Sequence, residues 1–282
     1  MVLAIPESEG RYTRSDKKIL EFIEESTEEF LFMSIGQLAE RLEMSEATIS
    51  RFARHIGYGD FKELKSAVAQ QKNGKGAARK MAGTLMKGEG FDIESWFSYQ
   101  QECMMRTLAD LDQREFIKAL DQIRDARRIF IHAKNASAAA GQLLFFRLRR
   151  MGFPVQMIPS GGSEVLEGLA QAGEGDLVIL FSYSKVSEEG KMILDYAGEA
   201  GYNTLAFTSR KYAPKEQRSD VNLYVYRGEK KEYHSMTAAV AVVDALVLAL
   251  SERSKETIAA SLIRVQKLKE HYGAKRQEGI GY

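Results

Sequence analysis

The 282-residue chain contains one cysteine, Cys103, and only four histidines. A single thiol excludes an intramolecular disulfide framework and any zinc site built from thiolates. His55, His132, His234 and His271 are scattered, without the pairing or acidic neighbours of a metal site, so neither a metal nor a cofactor is expected. Long apolar runs are missing too. The most apolar stretch, Ala238–Leu250, is interrupted by Asp244 and is too short to span a bilayer, so no membrane partner is expected. Met1–Gly10 lacks the basic-then-apolar layout of a signal peptide. No Walker loop and no internal repeat is visible. Ala133–Gly141, where a dinucleotide fingerprint would stand, holds no Gly-x-Gly. What remains is a globular composition, 44% hydrophobic and 28% charged, long enough for two domains and expected in the cytoplasm.

Neither sign of charge is in excess: 40 Lys and Arg against 39 Asp and Glu give a net charge of +1, which excludes a uniformly basic nucleic-acid coat. The distribution is uneven. Residues 1–44 carry five bases against ten acids, and residues 45–80 eight bases against three acids. Such a reversal fits a face that meets a polyanion, and fits equally two solvated helix faces of opposite sign.

Four helical segments are expected before residue 71. Ile19, Leu20, Phe22 and Ile23 keep a helical period, and Ser34 with Gln37 forms a capping box for a second helix. Ser45 caps a third helix, Glu46–Ile56, which Gly57 stops, and Asp60–Gln70 is the fourth. Lys72–Lys80, with two glycines and four bases, is the linker candidate. Helices at 93–109 and 113–124 follow. The Trp96, Phe97, Tyr99 and Met104–Met105 stripe of the first is expected to be packing. From Arg127 the pattern alternates: strands at 129–131, 155–158, 177–181, 204–207 and 223–225, separated by helices. Uninterrupted apolar strands between helices imply a parallel sheet covered on both faces. The fold class is therefore α/β, an all-α N-terminal helix-turn-helix domain before a parallel five-stranded sandwich. The expected division is 1–77, a connecting stretch 78–118, the α/β domain 119–258, and a C-terminal helix and tail 259–282.

A tight turn before Ser45-Glu46-Ala47-Thr48-Ile49-Ser50-Arg51 suits a helix that enters a DNA major groove. Short polar side chains let the backbone approach the bases, and arginines reach phosphate or guanine. Ser45, Glu46, Ala47, Thr48, Ser50, Arg51 and Arg54 are the candidate DNA-binding residues; Glu46 could accept from cytosine or simply favour the helix terminus. A plain packing module has the same outline. The combination Ser45-x-x-Thr48-x-Ser50-Arg51-Phe52, then Ile56-Gly57-Tyr58-x-x-Phe61-Lys62-Glu63-Leu64-Lys65, resembles the N-terminal domain of RpiR/MurR-type bacterial transcriptional regulators. That resemblance implies DNA binding through the helix that begins at Ser45.

Ser182-Tyr183-Ser184-Lys185-Val186-Ser187 links an apolar strand to a helix and gathers hydroxyls, a lysine and a helix N-terminus, an arrangement that traps anions and that serine capping also explains. Residues 129–250 resemble the SIS (sugar isomerase) fold, the usual partner domain of RpiR-type regulators. The resemblance implies a phosphorylated sugar as effector, bound by Ser137, Ser182, Ser184 and Ser187, with Thr208–Ser209 lining the cavity; Lys185 and His234 are further candidate contacts. Ala133, Asn135 and Lys185 stand where the family has glycine, which narrows the approach of backbone to ligand. Asp244 is expected to be buried and tied to backbone donors. The resulting expectation is a non-enzymatic, sugar-phosphate-responsive DNA-binding regulator, working as a homodimer or homotetramer through helices at 93–124 and 235–271. A phosphosugar isomerase using Glu232 or His234, and a constitutive DNA-binding protein whose second domain only oligomerises, are the alternatives.

Overall fold

The computed structural model describes residues 12–70, 77–85, 91–230 and 232–278. The chain divides into two compact units, one holding residues up to Phe97 together with Gly228–His234, the other Ser98–Arg227 and the chain from Ser235.

The first unit is helical: α1 (Arg14–Glu25), α2 (Thr27–Phe32), α3 (Ile35–Arg41), α4 (Glu46–His55), α5 (Phe61–Gln70) and α6 (Ala77–Leu85). Its core joins Ile19 and Ile23 of α1, Phe30 of α2, Leu38 of α3 and Ile49 and Phe52 of α4, all essentially inaccessible to solvent. The helix starts are set by short side chains. Thr13 with Asp16 and Ser34 with Gln37 form capping boxes, and the Ser45 hydroxyl accepts from the Thr48 N–H. The ends of α3 and α4 both reverse through a left-handed residue, Glu43 (φ 53°) and Gly57 (φ 92°). Met44 N–H then reaches the Ala39 carbonyl and Tyr58 N–H the Ala53 carbonyl, which is the Schellman closure.

α7 (Ile93–Asp110) begins in the first unit and ends in the second, followed by α8 (Gln113–Asp125). Strands and helices then alternate: β1 (Ile129–His132), α9 (Ser137–Met151), β2 (Val155–Met157), α10 (Glu164–Leu169), β3 (Leu177–Phe181), α11 (Glu188–Ala200), β4 (Asn203–Thr208) and β5 (Val221–Tyr224), closed by α12 (Thr237–Arg253) and α13 (Lys255–Glu278). The sheet is five-stranded, in the order β2-β1-β3-β4-β5, with every pair parallel. Successive residues bury on opposite faces, so Ile129 and Ile131 join the core with α8, α9 and α12, while Phe130 joins the core with α10 and α11. Asp176, fully buried just before β3, accepts hydrogen bonds from the Arg127 and Arg128 guanidinium groups and the Gly173 N–H. Burial pushes its pKa up, but Arg128 and Arg127 outweigh that and hold it below the usual carboxylate range.

Several expectations change. Residues 72–76 of the linker candidate, Met1–Gly10 and the last residues of the tail lie outside the described residues. The rest of that linker candidate is the start of α6, whose Ala82 is buried in the first unit's core, and this unit extends past residue 77 to Phe97. The short helix α2 was not expected either; a six-residue helix has too little periodicity to announce itself. The α7 stripe is not all packing: Phe97 and Met105 are exposed, and the buried positions are Gln100, Cys103 and Thr107. Asp244 is not a buried carboxylate. Its side chain is 46% exposed and lies 3.8 Å from Arg147, because α12 buries the side that carries Ala238, Ala239, Val242, Val243, Leu246 and Leu250.

Ala133, at the end of β1, is buried against α9. A Cβ on Gly141 would stand 2.6 Å from the Ala133 Cβ, so the glycine that the strand end lacks is supplied by the helix facing it. Gly141→Ala should therefore destabilise the second unit by about 1–3 kcal/mol through overpacking. Adding Ala133→Gly should restore the urea-unfolding midpoint, since the alanine then contributes only its better helix propensity. A double variant no more stable than Gly141→Ala would refute the exchange.

Candidate functional site

Two clusters of polar side chains stand out. The first is on α4. Ile49, Phe52 and Ala53 anchor this helix in the core, and the geometry of a 3.6-residue period turns Ser45, Glu46, Ala47, Arg51 and Arg54 outward, with Thr48 and Ser50 half-buried. The Ser45 and Thr48 hydroxyls are 2.9 Å apart, and Arg51 Nη2 donates to Thr48 Oγ1 at 3.3 Å. Arg54 Nε donates to the Ser50 carbonyl. The helix thus presents a short polar edge at its start and two guanidinium groups on its outer side. Its far end is tied down, since His55 Nδ1 lies 3.0 Å from the buried Asp16 carboxylate at the start of α1. Lys65 of α5 caps the Met33 carbonyl ahead of α3, and burial lowers its pKa.

The second cluster follows from the strand order. In a 2-1-3-4-5 sheet the direction of winding reverses between β1 and β3, and the loops leaving those strands diverge to open a crevice at their carboxyl ends. The loop after β1 is Ala133–Ala136, with Asn135 left-handed (φ 55°), and Ser137 begins α9. The loop after β3 is Ser182–Ser187, and Ser187 caps α11 through the Gly190 N–H. Ser137 and the Ser182–Ser187 loop are therefore brought to neighbouring strand ends. Ser184 and Lys185 are exposed, and the Ser182 hydroxyl donates to the Lys185 carbonyl. Val186 is buried, and Gly190 makes room for it: a Cβ there would lie 2.8 Å from Val186 Cγ1. Thr208 and Ser209 follow β4, where Ser209 Oγ donates to the Val225 carbonyl and its N–H to the Tyr183 carbonyl.

His234 belongs to the first unit instead. Its Nδ1 accepts from Lys80 Nζ and its Nε2 lies 3.0 Å from the Glu229 carbonyl, so the ring carries its proton on Nε2. The buried Glu232 carboxylate accepts from the Glu229 N–H, Tyr233 N–H donates to Thr84, and the Tyr233 ring meets Trp96. Among the described residues no group of three or more His, Cys, Asp or Glu could hold a metal ion, and no helix is long and apolar enough to cross a membrane.

Comparison with known proteins identifies both domains. Residues 1–75 match the helix-turn-helix domain of the rpiR family, and residues 122–249 match the SIS domain. The chain carries the two domains of an rpiR-type regulator. An uncharacterised HTH-type transcriptional regulator of Caldanaerobacter subterraneus is 25% identical over 90% of this chain and 91% of its own length. The sugar isomerase domain of an RpiR transcription factor from Sphaerobacter thermophilus superposes with a TM-score of 0.57 at 24% identity, covering 61% of this chain and 96% of that one. Vibrio vulnificus NanR, solved in complex with ManNAc-6P, gives the same TM-score at 20% identity over 93% of this chain and 94% of its own. These likenesses agree with the helical head and the parallel sheet, and the paired domains are the architecture of a transcriptional regulator.

Three residues of the chain escape a motif-based reading. Lys134 reaches from the β1 loop to both carboxylate oxygens of Glu189 in the first turn of α11, at 2.9 Å each. His132, on the last position of β1, is buried with its Nε2 unpartnered, and burial lowers its pKa. Arg227, after β5, lies with its guanidinium 3.7 Å from the centre of the Tyr183 ring; its Nε has no partner, and burial brings its pKa down to about 10. Tyr183 sits between two candidate serines, yet its side chain is core, and burial raises its pKa. Only the reach across the sheet connects Lys134 with Glu189, fifty-five positions apart, which no local pattern records.

The Lys134 ammonium, then the Glu189 and Ser187 donors at the helix start, hold Glu189 down to about 2, well below its ordinary value. A folded-state pKa below the unfolded one gives stability that is complete above the ordinary carboxylate range and lost as pH falls toward 2. Wild type should therefore melt above Glu189→Gln near neutral pH, with the difference in Tm narrowing between about pH 5 and pH 2. A difference independent of pH would remove the ion pair as its cause.

Proposed function

We propose that this chain is an rpiR-type transcriptional regulator in which α4 reads double-stranded DNA and the SIS domain binds a phosphorylated sugar that modulates operator binding. The observation that carries it is the outer side of α4: Ser45, Thr48, Ser50, Arg51 and Arg54 lie on a helix that a complete apolar core and two Schellman turns hold in place. Short hydroxyls at the helix start permit close approach to base edges, and Arg51 is aimed by Thr48 before any DNA arrives, which lowers the ordering cost of a bidentate contact. Glu46 and Ala47 complete the exposed start. The work of such a regulator lies in the cytoplasm.

Ser137, Ser182, Ser184, Lys185 and Ser187 are the proposed effector contacts, since they stand at the switch point where parallel sheets collect anionic ligands on helix N-termini. The ligand in the NanR complex, ManNAc-6P, belongs to the chemical class proposed here. A non-enzymatic role is supported by Glu232 and His234, the groups an isomerase would need to move a proton: each is already engaged within the 228–234 segment or with Lys80. Assembly as a homodimer or homotetramer is supported by exposed apolar side chains on the expected surfaces, Met105 and Leu108 of α7, Leu248 of α12 and Ile263 of α13. His234 is retained as an effector contact only if ligand binding frees it from Lys80.

Arg51→Ala should weaken operator binding by about 1–3 kcal/mol if Arg51 contacts a base, measured by fluorescence anisotropy at fixed salt on a fragment from the gene's own locus. Unchanged affinity takes Arg51 out of the interface. Ser184→Ala, exposed and remote in sequence from α4, should leave unliganded DNA affinity intact and abolish its response to a sugar-phosphate panel. A variant that responds like wild type takes Ser184 out of the pocket.

A further inference from the structure

At the start of α11 the anion site is already filled by the protein itself. Glu189 stands in the first turn of α11, and Lys134 closes over both of its carboxylate oxygens from the β1 loop, at 2.9 Å each. The pair spans the two loops that diverge at the switch point, and both side chains are largely shielded, with Glu189 19% exposed and Lys134 35%. His132 lies in the field of both groups, buried, with an unused Nε2 at the end of the same strand. A carboxylate on a helix N-terminus with a lysine over it is what a phosphate would find there, one charge smaller.

We infer that Glu189 is an internal surrogate for the effector phosphate, and that Lys134 is a phosphate ligand handed from one anion to the other when a phosphorylated compound binds. This rests on the effector pocket proposed above. The exchange balances in charge: the incoming phosphate takes the ammonium and the helix donors, and Glu189 moves to solvent. Two consequences follow from electrostatics. Monoanions gain little over the carboxylate they displace, whereas a phosphate dianion gains from the second charge. Loss of the Lys134–Glu189 bridge also releases the β1 loop, and with it the start of α9, from α11, so occupancy of the pocket is converted into a change between two helix N-termini.

The probe is inorganic phosphate, titrated calorimetrically into the full-length protein, wild type and variants. Glu189→Gln keeps the shape and removes the competing charge, and should bind phosphate about fivefold or more tightly than wild type. Glu189→Asp, with an arm one methylene shorter, should do the same to a smaller extent, and serves if the glutamine variant does not fold. Lys134→Gln should weaken binding about fivefold or more, and should do so in the Glu189→Gln background too. If phosphate binds and Ser184→Ala weakens it, while neither Glu189 variant tightens it, the surrogate role is overturned and the pocket stands. If neither phosphate nor any sugar phosphate binds wild type or variants, the pocket falls and the surrogate with it.

Discussion

The pairing of β1 with β3 is the constraint on which the second unit depends. These strands are joined through four register pairs, Ile129 to Leu177 up to His132 to Leu180, and the order of winding reverses across them. Asp176 fixes the amino end of that pairing. A carboxylate with no exposure, held by two arginines preceding β1 and a glycine N–H preceding β3, tolerates no slip of one strand past the other, because a shift would leave its charge buried and unpaired. With the amino ends locked, the carboxyl ends deliver Ser137 and Ser182–Ser187 side by side. The charge that sets the register lies at one end of the strands, and the chemistry it positions lies at the other.

The helical head obeys a different constraint. The proposed recognition surface is one side of a ten-residue helix, too short to be stable alone, so its orientation is a property of the core beneath it. Ile49, Phe52 and Ala53 set which residues face out, the Ser45 cap sets where the helix begins, and Gly57 sets where it stops. The turn before it uses Glu43 in a left-handed conformation where glycine would be unstrained. That strain is offset by the reversal it permits, which brings Met44 N–H to Ala39 and leaves only four residues between the end of α3 and the start of α4.

Most of this was legible in the sequence because it is local. Caps, helix periods and uninterrupted apolar strands are written within a few residues of one another, so the strands, the helix-turn-helix and the serine-bearing loops could be located to within one or two positions. What was not legible depends on partners far away in the chain. Asp244 sits in an apolar helix and reads as buried, but α12 packs along one stripe and leaves the carboxylate half-exposed beside Arg147. The α7 aromatics read as core, but its buried side is Gln100, Cys103 and Thr107, and the Thr107 hydroxyl is bound to the backbone of Tyr226. His234, a candidate effector contact because it stands just before the apolar α12, is held by Lys80, 154 positions earlier.

The departures from glycine in the ligand loops show how such distant partners change the meaning of a motif. Ala133 in place of glycine would crowd the strand end if α9 presented a side chain there; Gly141 presents none, so the space is conserved while the glycine moves to the other partner. Asn135 keeps the left-handed backbone that glycine would have supplied, as asparagine can. Lys185 is exposed and leaves the loop's backbone course to Val186, whose burial is made possible by Gly190. The lining is cationic, with Lys134 and Lys185 flanking the serines, and the carboxylate of Glu189 balances the first of these. Loops with a left-handed turn, serines at a helix start and two lysines have the means to hold an anion, which supports the proposed ligand site.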